Sequence, residues 1–154
     1  MGSGKSNFAN KLGKILNRSI IHLDKEYFNS DWTEKYTKEE WVNFQKDLLE
    51  QNEWIIDGNY KSTLDLRMEA ADTIIYFDFP KLFCLYRSFK RILDRTQPFD
   101  KPKGMKEKVG LELIKFILKY PKKEMRKKLK EYSKDKQIIV FKTPKEAKIF
   151  LDSL

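Results

Sequence analysis

The chain has 154 residues, 40% hydrophobic and 14% aromatic, with 32 basic and 23 acidic side chains and a net charge of +9. That is long enough to bury a real core in one domain over residues 1–154, and too apolar for a disordered tail. No apolar run approaches the roughly 20 residues of a membrane span, residues 2–14 are small, polar and basic where a signal sequence would be apolar, and the lone Cys84 permits no intrachain disulfide. These features predict a cytoplasmic protein, no membrane association, and Cys84 packed in a core.

The chain opens Met1-Gly2-Ser3-Gly4-Lys5-Ser6. Gly4-Lys5-Ser6 is the end of a G-x-x-x-x-G-K-[ST] phosphate loop, in which backbone N–H groups wrap nucleotide phosphates, the lysine meets the β/γ-phosphates and the hydroxyl serves Mg²⁺. Residues 5–16 follow as a helix, with Phe8, Leu12, Ile15 and Leu16 at helical spacing. Ser19 to Asp24 reads as a short buried strand ending on an acid. Thr37-Lys38-Glu39-Glu40 is a capping box that opens a helix to about Gln51, with Trp41, Phe44 and Leu48 on one face. Trp54 to Asp57 is the next strand, stopped by Gly58-Asn59. A short helix near residues 62–70 leads to a third strand, Thr73 to Asp78.

Pro80 suits the first turn of a helix over about 81–95, on which Leu82, Leu85, Tyr86, Phe89, Ile92 and Leu93 form an apolar stripe. Thr96 to Lys108, with Pro98, Pro102 and Gly104, reads as a mobile loop. Two helices broken at Pro121 follow, then a strand over Gln137 to Phe141. Thr143-Pro144-Lys145-Glu146 is a second capping box before a terminal helix. Strands alternating with helices predict an α/β protein with a mostly parallel sheet, whose ligands bind at the C-terminal strand ends. Asp24 and Asp57 would then point toward the phosphate site.

Lys5 and Ser6 are the first candidates for chemistry, because the glycines precede a helix whose N-terminus adds positive dipole at bound phosphate. Gly2, Ser3, Gly4, Lys5, Ser6 and Asn7 form the candidate nucleotide-binding segment. Asp57 ends an apolar strand, where a carboxylate can hold Mg²⁺ or its waters. Asp78 ends a similar run and reads more as a turn residue. Asp24 is a candidate for orienting an acceptor hydroxyl, and the lone His22 reads as structural. Only six residues are arginine against 26 lysines, yet Arg87, Arg91 and Arg95 repeat at i, i+4, i+8 opposite the apolar stripe. A guanidinium is a rigid bidentate fork for phosphate, so Arg87 and Arg91 are candidate catalytic clamps and Arg67 a candidate grip on the acceptor.

These residues resemble the adenylate kinase-like P-loop kinases, and more closely the bacterial family of DNA topology modulation proteins. The likeness runs nearly end to end: MGSGKS, IIHLDK at 20–25, WIIDGNYKSTLDLR at 54–67, ADTIIYFDFP at 71–80, the helix with Arg87 and Arg91, and YPKK at 120–123. The resemblance implies a three-layer α/β/α P-loop fold, ATP and Mg²⁺ as cofactors, a lid-like loop at about 96–109, and phosphoryl transfer to a nucleotide or other small metabolite. Lys5, Asp57, Arg87 and Arg91 would be catalytic, Ser6 and Asp57 would serve the metal, and Asp24 and Arg67 the acceptor.

Two departures stand out. Asn7 replaces the usual threonine, and the family's first strand, with the first glycine of the loop, would lie ahead of Met1. That strand is central in the family fold, so its absence predicts a gap of about 10 Å in the sheet and a loss of about 6–12 kcal/mol of burial against a total stability of about 5–15 kcal/mol. A start assigned at an internal methionine and a genuine N-terminal fragment are the two expectations, and an inactive truncated fragment is one alternative function. The other alternative is a DNA-binding, topology-modulating role. Twelve basic and three acidic residues fall between Lys101 and Lys130, leaving twenty of each elsewhere, and such a segment suits nucleic acid.

Overall fold

Local sequence sets most of the element boundaries in the structure, a computed structural model that describes residues 2–94, 101–104 and 110–154. In chain order the elements are α1 (Lys5–Ile15), β1 (Ile20–His22), α2 (Leu23–Tyr27), α3 (Lys38–Leu49), β2 (Ile55–Asp57), a 3-10 turn (Lys61–Thr63), α4 (Leu64–Ala70), β3 (Thr73–Phe77), α5 (Lys81–Leu93), α6 (Leu111–Leu118), α7 (Lys122–Tyr132), β4 (Gln137–Phe141) and α8 (Pro144–Asp152). This is a mixed α/β protein. Thr37 caps α3 as expected: its hydroxyl accepts from the Glu40 amide while the Glu40 carboxylate accepts from the Thr37 amide at 2.7 Å. At α8 the Thr143 hydroxyl accepts from the Glu146 amide, and the Glu146 carboxylate reaches one residue further back, to the Lys142 amide at 2.8 Å. Most of the lid-like loop at about 96–109, and Arg95 beside it, lie outside the described residues.

The described residues form two compact units, one of residues 2–4, 71–94 and 110–154, the other of residues 5–70 and 101–104. The four strands make two parallel pairs, β1 with β2 and β3 with β4, rather than one sheet. Parallel neighbours need a long crossover; α3 provides it between β1 and β2, and α5 to α7 between β3 and β4.

In the unit of residues 5–70 the core is aromatic. Leu23, Tyr27 and Trp41 are buried at its centre, with Ile21, Phe28, Tyr36, Phe44, Ile56 and Tyr60 packed around them. The Trp41 and Phe44 rings stack at 5.4 Å, and Tyr27 meets the Tyr60 ring edge-on at 5.1 Å. In the other unit Phe79, Leu113, Ile117, Leu129 and Phe141 are buried. Asp78, just beyond β3, is an ion-pair anchor: Lys122 lies 2.9 Å and Arg126 2.6 Å from its carboxylate, tying α7 to the strand end.

Helix α5 is turned opposite to its periodicity. Leu82, Tyr86 and Leu93 are 75%, 63% and 81% exposed, while Cys84 and Ser88 are buried. The cause is a close backbone approach. Gly2 lies so near α5 that a Cβ on it would sit 2.1 Å from the Cys84 carbonyl oxygen and 2.6 Å from the Ser88 hydroxyl. Only the small-residue face of α5 can accept that contact, so the bulky apolar stripe faces out.

Candidate functional site

The residues that converge best lie in the unit of residues 5–70. Helix α1 begins at Lys5, and no acid stands in its first turn. The Lys5 ammonium sits 3.0 Å from Asp57 Oδ1 and 3.4 Å from the Ser6 hydroxyl. Asp57 closes β2 and is buried. Burial alone would raise its pKa, but the Lys5 charge, together with hydrogen bonds from His22, Ser6 and Lys5, holds the carboxyl well below the usual range. Asp57 is therefore a carboxylate, and it accepts.

His22, read from the sequence as structural, joins this group. Its Nδ1 lies 3.0 Å from Asp57 Oδ2, and its Nε2 lies 3.2 Å from the Asn10 side-chain oxygen. Sequence reasoning missed this because it ended the first strand at Asp24. The strand ends at His22, whose Cα is the register partner of Asp57 in the parallel pair. Ending the two strands flush would have found the contact. Asp24 instead falls in the first turn of α2, with its charge near the Tyr60 hydroxyl. Burial and the Asp24 charge together push that hydroxyl's pKa upward.

Arg67 is buried, and its guanidinium is engaged. It donates to the Gln45 side-chain oxygen, to the Thr63 hydroxyl at 2.8 Å and to the Tyr60 carbonyl at 3.3 Å. Gln45 in turn donates to Thr63 at 2.8 Å. All these acceptors are neutral, and burial draws the Arg67 pKa down to about 10. These bonds use three of the five guanidinium N–H donors.

In the other unit, Gly2 and Gly4 have φ values of +73° and +88°, a backbone that side chains with a Cβ rarely adopt. Arg87 donates to the Ser3 carbonyl at 3.2 Å, and its guanidinium would lie 3.0 Å from a Cβ at Gly4. Arg87 thus braces the glycine segment. Arg91, one turn along α5, is half-buried on the same polar side as Arg87.

Hard oxygen donors suit Mg²⁺, which usually takes one or two carboxylates and completes its shell with water and substrate phosphate. Ser6 bonded to Asp57 is such a donor set, and glycines with positive φ ahead of α1 are the backbone that phosphate needs, so both groups fit the residues present. Among the described residues no cluster of three or more His, Cys, Asp or Glu forms a metal cage. Asn7 is exposed on α1.

Some cations of the basic segment are engaged within the fold. Lys101 is buried with its ammonium 4.7 Å from the centre of the Trp32 ring, Lys122 and Arg126 are drawn onto Asp78, and Lys106 and Lys108 lie outside the described residues. No helix among the described residues is long and apolar enough to cross a membrane. Compared with protein-family models, with curated proteins and with solved structures, the chain matches none.

Proposed function

We propose that this chain is an adenylate kinase-like P-loop protein that binds ATP with Mg²⁺ and transfers the terminal phosphoryl group to a nucleotide or other small-metabolite acceptor. One observation carries this reading: Lys5, Ser6 and Asp57 meet at the N-terminus of α1, with the lysine on the aspartate and the hydroxyl bonded to it. Lysine, hydroxyl and strand-end acid are the three side chains that phosphate and its metal require.

In this reading Lys5 leaves Asp57 for the β/γ-phosphates at the N-terminus of α1, whose dipole favours anions. Ser6 and Asp57 would hold the metal, which when bound neutralises phosphate charge. Arg87 and Arg91 take the role of stabilising charge on the transferred group, for which Arg87 must exchange its bond to Ser3. Asp24 and Arg67 serve the acceptor, Asp24 with its carboxylate and Arg67 by fixing the backbone at Tyr60. Such transfer is mostly positioning and electrostatics, so no protein nucleophile is needed.

The test is calorimetric titration with MgATP, followed by an acceptor panel read as ADP release. The native chain should bind and Lys5→Ala should weaken binding at least about tenfold, roughly the value of one charged hydrogen bond. A native chain that binds no MgATP, or a Lys5→Ala variant that binds equally well, refutes the reading.

A further inference from the structure

Building on the nucleotide reading above, we infer that His22 is a positioning residue for Asp57: it holds Oδ2 so that Oδ1 stays aimed at the start of α1 when Lys5 departs for phosphate. Three observations carry this. His22 is buried and is the register partner of Asp57 at the flush ends of β1 and β2. Its two ring nitrogens meet two side chains, Asp57 of β2 and Asn10 of α1. The two oxygens of Asp57 are divided, Oδ2 to His22 and Oδ1 to Lys5, each at 3.0 Å.

That division matters because the Lys5 side chain is one-third exposed, whereas the imidazole is enclosed. An ionised carboxylate only accepts, so the hydrogen between the pair belongs to Nδ1. When Lys5 moves, the Nδ1–H bond still fixes the plane of the carboxylate. With the hydrogen on Nδ1, Nε2 accepts, so the Asn10 amide turned to donate its NH2 to Nε2 ties α1 to β2 through Asn10–His22–Asp57, one turn beyond Lys5 and Ser6.

Two substitutions separate the ring's two bonds. Asparagine places its amide near the position of Nδ1, and glutamine near that of Nε2. In calorimetric titrations, His22→Asn should keep MgATP affinity within about twofold of native. His22→Gln and His22→Ala should lose about 10–100-fold, the usual effect of removing a group that orients a metal ligand. ATP titrated in EDTA should bind all three variants alike, and circular dichroism melts identify any variant that is unfolded.

His22 is the only histidine, so its ¹⁵N imidazole signals assign themselves. In the nucleotide-free native chain Nδ1 should carry a slowly exchanging hydrogen, which Asp57→Ala should abolish. A native chain that binds no MgATP overturns the nucleotide reading and this inference with it. If the native chain binds while His22→Asn falls as far as His22→Ala, or if the Nδ1 signal ignores Asp57→Ala, only the role of His22 is overturned.

Discussion

Replacing Asp57 by asparagine tests the centre of the site without removing its shape. The carboxylate receives Lys5 and His22, each at 3.0 Å, and Ser6. Hydrogen bonds to a charged group contribute about 1.5–3 kcal/mol each, and removing one partner of a buried pair costs about 3–5 kcal/mol. Asparagine keeps one acceptor, and Lys5 is partly screened by solvent, so the expected loss lies at the low end, about 3 kcal/mol at pH 7.

The pH dependence has a definite sign. The folded carboxyl is depressed, so its contribution is complete above the unfolded value of about 4 and declines as pH falls toward the lower folded value. The asparagine variant has no such group. The gap between native and variant should therefore narrow below pH 4 by about 1.4 kcal/mol per pH unit. Urea unfolding followed by tryptophan fluorescence reads this directly, because Trp32, Trp41 and Trp54 all belong to the unit that contains Asp57. A gap that stays constant from pH 7 to the foot of that range would show that the carboxylate is not held by these partners.

Three further outcomes follow from other parts of the chain. Trp41→Ala should cost about 3–5 kcal/mol in the same urea assay, since Trp41 is buried among Tyr27, Tyr36, Phe44 and Tyr60. Gly2→Ala should expose the lone thiol, because its Cβ would sit 2.1 Å from the Cys84 carbonyl at a φ of +73°; a rise in the rate at which Cys84 reacts with an aromatic disulfide reagent measures it, and an unchanged rate would contradict the close approach. Leu93→Gln should change stability by less than about 0.5 kcal/mol, because Leu93 is 81% exposed; a core-sized loss in thermal melts would mean that the stripe of α5 is covered.

The order and type of most elements were legible in the sequence, because they depend on local chemistry; α2 was not, since Leu23 and Asp24 read as strand. Thr37 and Glu40 mark the start of α3, Pro121 separates α6 from α7, and Gly58 follows the end of β2, each through capping or backbone preferences that act within a few residues. Lys5, Ser6 and Asp57 were legible as candidate site residues for the same reason: a glycine-lysine-serine step before a helix and an acid closing an apolar strand are local signals.

What depends on distant partners was not legible. The apolar stripe of α5 has the periodicity of a core face, yet a contact with Gly2, 86 residues before Ser88, decides which side faces in. His22 carries no local mark of function; only the parallel register of β1 with β2 places it on Asp57. Arg67 has the chemistry of an anion grip, and the fold surrounds it with Gln45, Thr63 and the Tyr60 carbonyl. The sequence alone marked which residues have the chemistry that the proposed phosphate and metal would need. Tertiary structure decided which of them meet, because hydrogen bonding and burial are properties of pairs brought together by the fold and not of residues read singly.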